Sequence, residues 1–141
     1  MTDIMIGKWK MESSDNFDEY MKALGVGFMM RKMGNTMVPT VEITEENGEI
    51  ELKTITTFKT TSIKFKLGEP FEEETADGRK VTATLTMEGN TLVHDQKGNK
   101  EKEEKDSVIR RTFDGDTMTL SCSVGEGESE VKATRVYKRQ P

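Results

Sequence analysis

A chain of 141 residues has the size of one domain. Its hydrophobic fraction is only 33%, equal to its charged fraction, and it stays below the usual ~45–50% apolar content even with the glycines counted as apolar. A net charge of -5 and a pI near 5.1 give no reason to expect nucleic acid or an anionic membrane as a general partner. No apolar run reaches membrane-spanning length, the N-terminus lacks a signal-peptide pattern, and the single cysteine, Cys122, allows neither an internal disulfide nor a thiol metal site. A soluble cytosolic protein is expected.

Charges of both signs are interleaved, and strand-like alternation persists almost throughout, so the low apolar content does not mean disorder. It means a core that is small for the length. A sheet wrapped around a cavity has that composition, and so does a thin sandwich.

In chain order, "IGKWKM" alternates as a strand, with Gly7, Trp9 and Met11 on one face. Ser14 or Asp15 is expected to cap a helix from Asn16, in which Phe17, Tyr20, Met21 and Leu24 form one apolar stripe and which Gly25 stops. A second short helix is predicted over 26–33, ended by "GN" at 34–35. Together they make a helical hairpin.

After Pro39 the period changes to two. "TVEITEENGEIELKTITTF" reads as two strands around Asn47-Gly48, and similar turn signals recur up to Gly125-Glu126-Gly127. The spacing gives about ten strands, hence an antiparallel sandwich or barrel. "KGNKEKEEKDS", 97–107, is a charge-dense hairpin tip expected to be solvated, with partner docking as the lesser alternative.

The last strand, "EVKATRVYKRQ", turns Glu130, Lys132, Thr134, Val136 and Lys138 to one side and Val131, Ala133, Arg135 and Tyr137 to the other. The second face is apolar except for an arginine and a phenol. Burying a guanidinium costs several kcal/mol unless a counter-charge or hydrogen bonds compensate. That compensation is either an internal Glu or Asp, or the carboxylate of a ligand. In "KDSVIRRTF", Val108, Arg110 and Thr112 share one face and Ile109, Arg111 and Phe113 the other, so parity alone leaves the inward arginine undecided.

Three separated stretches resemble a known family. "GKWKMESSDNFDEYMKALGVGF" is similar to the opening signature of intracellular lipid-binding proteins, the cytosolic fatty-acid-binding proteins. "TFKTTSIKFKLGEPFEEETADGRKV" looks like that family's middle strands, and "RVYKR" like its closing Arg-x-Tyr. The resemblance covers essentially the whole chain, and "RKMGNT" and "DGDTM" lean toward the flatworm branch. The 97–107 tip is a few residues longer than the family pattern.

The resemblance implies an all-β fold: a ten-stranded antiparallel up-and-down barrel, lidded by the two helices around a cavity. It implies a cytosolic monomeric carrier of long-chain fatty acids with no cofactor. The family pattern places Arg110 inside, and makes Arg110, Arg135 and Tyr137 the carboxylate-binding trio. Phe17, Tyr20 and Met21, with Val26, Met30 and Gly34, would contact the ligand tail, although Phe17 equally suits plain packing on the rim. Phe58, Thr61, Ala76 and Asp77 would line the entry gap. On "DTMTLSCSV" the apolar parity (Met118, Leu120, Cys122, Val124) is the conventional inner face, whereas the family match turns Thr119 and Ser121 into the cavity. Trp9 and Gly7 are expected as core and turn residues. Lys22, Arg31 and Lys32 give the lid a basic character suited to transient membrane contact, or to plain solvation.

Nothing points to catalysis. The one histidine, His94, stands beside Asp95 without a nucleophile near it, and is expected to be structural or on the surface. No glycine-rich phosphate loop occurs, and the carboxylates of "EEET" at 72–75 suit a solubilising edge. The rival functions are a retinoid or other hydrophobic-acid carrier, and a membrane- or protein-interaction protein with lipid as structural filler.

Overall fold

The computed structural model describes residues 2–75, 78–102, 105–125 and 127–141. After a 3-10 turn over Thr2–Met5 come β1 (Gly7–Asp15), α1 (Phe17–Ala23) and α2 (Phe28–Thr36). Nine further strands follow: β2 (Thr40–Glu46), β3 (Glu49–Ile55), β4 (Thr60–Phe65), β5 (Phe71–Glu74), β6 (Lys80–Glu88), β7 (Thr91–Lys97), β8 (Ser107–Asp114), β9 (Thr117–Val124) and β10 (Val131–Gln140).

The ten strands form a nearly closed antiparallel barrel, in the order β4-β3-β2-β1-β10-β9-β8-β7-β6-β5. Chain neighbours pair throughout except at β4 and β5, and β1 joins β10 to bring the two ends of the chain together. The expected Asn47-Gly48 hairpin is present: both residues take positive φ, 54° and 83°, as a tight two-residue turn matched to strand twist requires. A barrel wall needs one apolar residue in two, so alternation with a modest hydrophobic fraction suffices to enclose an interior.

One end of the interior is solid. Met5, Trp9, Ile43 and Met118 are fully buried there, and the Trp9 ring lies 5.3 Å from that of Phe113 in a tilted pair. Trp9 Nε1 donates to the Met5 carbonyl at 3.1 Å, so the first turn is pulled across the barrel floor. Arg139 stacks over Trp9 at 4.2 Å and donates to the carbonyls of Ile6 and Ile4. Gly7 lies inside β1, not in a turn. Its φ is +140°, and an added Cβ would stand 2.7 Å from Arg139 Nη1.

The helical lid departs from expectation at two points. Neither Ser14 nor Asp15 caps α1, because β1 continues through both and pairs with Arg135 and Thr134. Asn16 makes the turn instead, in a left-handed conformation (φ 63°), with its amide donating to the Lys132 carbonyl at 2.8 Å. The second helix does not stop at 34–35 but runs through to Thr36. Gly34 serves there for close packing: a Cβ would come within 2.9 Å of Met21 Sδ. The charged tip between β7 and β8 holds a short turn at Lys100–Lys102, and Lys97 bridges Asp95 and Asp106 at 3.6 and 3.7 Å. Glu103 and Glu104 lie outside the described residues.

Candidate ligand-binding cavity

Between the solid floor and the lid lies a cavity of about 310 Å³. From α1 it is lined by Phe17, Tyr20 and Met21, which share one side of the helix. Val26, Met30 and Gly34 line it from the second helix and its approach, and Phe58 and Thr61 from the β3–β4 corner. Phe58 and Met30 line the cavity while remaining exposed. Ala76 and Asp77, expected beside them, lie outside the described residues.

The arginine assignment changes. Arg110 is exposed on the outer face of β8, and Arg111 is buried and lines the cavity. The reason is cross-strand parity. Phe113 packs on Trp9, so Ile109 and Arg111, on the same side of β8, turn inward with it. They pair with Cys122 and Leu120 of β9, both buried, whereas Arg110 and Thr112 pair with Ser121 and Thr119. Thr119 and Ser121 accordingly face outward, and the apolar parity of β9 is the inner one. Cys122 lines the cavity as a protonated thiol, which burial pushes up to about 11.

Arg135 and Tyr137 are inside, as expected. Arg135 Nε donates to Ser14 Oγ at 3.0 Å, Nη2 donates to the Gly34 carbonyl at 2.9 Å, and the guanidinium lies 3.4 Å from the centre of the Phe17 ring. The Arg135 guanidinium also donates to the Tyr137 phenol oxygen, which ties the two groups together inside the cavity. Burial pushes the Tyr137 phenol up against the opposing pull of Arg135 and Arg111, so it stays a donor. Arg111 Nη1 donates to His94 Nδ1 at 3.3 Å, while its buried Nε has no partner. Burial lowers the Arg111 pKa, yet a guanidinium keeps its proton. Among the described residues no carboxylate forms an ion pair with Arg111 or Arg135.

A buried polar cluster continues from Arg111. His94 is not on the surface; it lines the cavity at 2% exposure, with Nε2 2.7 Å from Glu73 Oε1. Gln96 Nε2 donates to the same oxygen at 3.2 Å. Glu72 and Glu74 are exposed as solubilising charges should be, but Glu73 is buried between them. Since Arg111 donates to Nδ1, that nitrogen must carry a lone pair, and Nε2 therefore carries the proton given to Glu73. The electrostatics agree. Burial, helped by the Arg111 charge, outweighs the Glu73 bond and pulls the His94 pKa down. Burial pushes the Glu73 carboxyl up, yet its bonds from His94 and Gln96 and the field of Arg111 hold it below its ordinary value.

The cavity and barrel have known counterparts. The model of the lipocalin / cytosolic fatty-acid binding protein family matches residues 6–140, and the chain belongs to that family of lipid-binding carriers. It is 45% identical over 135 residues to the sodium/calcium exchanger regulatory protein 1 of Doryteuthis pealeii, covering 96% of each chain. Among solved structures it is similar to a Schistosoma mansoni fatty acid binding protein in complex with arachidonic acid (39% identity, TM-score 0.91, covering 99% of this chain and 98% of that one). It also matches the REP1-NXSQ fatty acid transporter (44% identity, TM-score 0.89, covering 100% and 98%).

Proposed function

We propose that the protein is a cytosolic carrier of long-chain fatty acids, with the ligand carboxylate received by Arg111, Arg135 and Tyr137. One observation carries the assignment: two buried guanidiniums face the cavity without an ion-pairing carboxylate, and Arg111 Nε has no partner at all. An ionised carboxylate in that space would gain charge-assisted bonds from both arginines and the phenol. The tail supplies most of the affinity, since burying each methylene is worth roughly 0.8 kcal/mol before ordering costs. The head-group trio therefore orients the chain and selects an acid over an ester. Retinoic acid and other hydrophobic acids meet the same trio and are rivals for it.

The decisive comparison is oleate against methyl oleate, titrated into the protein and into Arg135→Ala. Oleate is expected to bind one-to-one and at least ~10-fold tighter than the ester, as loss of a charged hydrogen-bond partner implies. Arg135→Ala should bring the two together while the barrel stays folded. Equal binding of acid and ester by the unaltered protein would remove the carboxylate role.

The exposed apolar side chains of α2 favour one addition: Phe28 and Met29 stand near the exposed Lys32, while Arg31 is held by Asp18, and an apolar face with a cation beside it suits brief contact with a membrane while ligand is exchanged. The name of the Doryteuthis pealeii relative, a sodium/calcium exchanger regulatory protein, is compatible with work close to a membrane.

A further inference from the structure

Glu73 uses only one of its carboxylate oxygens. Oε1 takes both of the side chain's bonds, from His94 Nε2 and Gln96 Nε2. Oε2 meets no protein donor among the described residues, on a side chain that lines the cavity and is only 10% exposed. An ionised oxygen on a largely buried side chain that opens only onto the cavity needs a donor from whatever fills that space, water or ligand. The tie to His94 also fixes which oxygen is free. Arg111 holds Nδ1, so Nε2–H must face Glu73, and the oxygen that receives it is committed.

Polar groups on an acyl chain meet such an oxygen differently. A hydroxyl donates to it through a charge-assisted bond and loses little on leaving water. A keto oxygen presents only lone pairs and is repelled. A second carboxylate is repelled by charge. The geometry points to Glu73 Oε2 as a second polar subsite that accepts a hydrogen bond from a hydroxyl on the ligand chain, so that the cavity prefers hydroxylated fatty acids to their keto or dicarboxylic counterparts. This rests on the carboxylate being received by Arg111, Arg135 and Tyr137. One imidazole ring and its two hydrogen bonds separate Arg111 from Glu73, which places the hydroxyl in the middle of the chain and not beside the carboxylate.

The test uses stearate, a series of hydroxystearates with the hydroxyl at successive mid-chain positions, and the matching oxostearates, each competing for a bound fluorescent fatty acid. At the favoured position the hydroxy acid is expected to bind ~10-fold or more tightly than the oxo acid, the usual weight of a hydrogen bond to a charged group. Glu73→Gln keeps an amide oxygen for His94 and Gln96 but places an N–H donor where Oε2 stood. In that variant the oxo acid should gain, and the ratio should collapse or invert. Equal binding of hydroxy and oxo acids at every position would overturn the subsite, and so would a ratio that Glu73→Gln leaves unchanged, while stearate binding kept the carrier function intact. Failure of stearate and of every derivative to bind would overturn the carrier function and the subsite together.

Discussion

The two ends of this barrel are built to opposite rules. At the floor, Met5, Trp9, Ile43 and Met118 are fully enclosed, and Arg139 lies across Trp9 with its donors on two backbone carbonyls. At the lid, α2 buries no side chain, and Phe28, Met29 and Phe58 project into solvent. Between them lies a cavity whose walls must stay apart. A chain with few hydrophobic residues therefore concentrates close packing at the floor and leaves the lid loosely held. Stability is expected to reside at one end and ligand exchange at the other.

The largest effect should come from the floor. Trp9→Ala removes the ring that packs on Phe113, carries Arg139 and holds the first turn through Nε1. Substitutions of this kind in packed cores cost about 3–5 kcal/mol. Urea unfolding followed by circular dichroism should show that loss. A shift below ~0.5 kcal/mol, within the range of ordinary surface changes, would mean that the floor is not the stabilising end.

An intermediate effect belongs to the wall that joins the two ends, and it depends on pH. The folded-state pKa of His94 lies below its ordinary 6.5, so the unfolded chain takes up that proton first as pH falls. Stability is then fully present above about 6.5 and declines below it. Glu73, lowered from 4.5, adds a loss of the same sign in more acidic solution. His94→Gln can keep both contacts, its amide oxygen accepting from Arg111 and its amide nitrogen donating to Glu73, but it cannot titrate. Urea midpoints measured from about pH 7 to about pH 5 should fall in the parent protein and stay nearly level in the variant. Parallel slopes would show that His94 is as easily protonated folded as unfolded.

This wall is also where sequence and structure part company. The strands, the Asn47-Gly48 turn, the helical hairpin and the inward Arg135 and Tyr137 were legible because each follows from local spacing. Arg110 and Arg111 were not separable on β8 alone, since each face of that strand carries one arginine. The signal lay next door. The apolar parity of β9 puts Leu120 and Cys122 inside, and a residue paired with Leu120 must face the same way, which selects Arg111. Glu73 and His94 were harder. They stand on β5 and β7, which flank β6 without pairing with each other, and meet over it on the inner face, so no spacing in the chain announces their bond. Phe71, Glu73 and Thr75 do share one parity, however, as do Leu92, His94 and Gln96. An acid and an imidazole on two inward faces were the available hint.

The smallest expected effect is at the lid. Phe28 and Met29 are 68% and 69% exposed, and replacing both with serine removes apolar surface that folding does not bury. Core substitutions of Phe or Met cost several kcal/mol, but exposed positions usually stay within about 0.5 kcal/mol. The double variant Phe28→Ser with Met29→Ser should therefore unfold at nearly the parent's urea concentration and bind oleate as well. What it should lose is speed in handing a fluorescent fatty acid to phosphatidylserine-containing vesicles, because the exposed Lys32 would still attract the surface but no apolar side chain would enter it. A clear drop in stability would show that these residues pack on the barrel in solution. Unchanged transfer at unchanged stability would show that the exposed apolar face of α2 is not what meets the membrane.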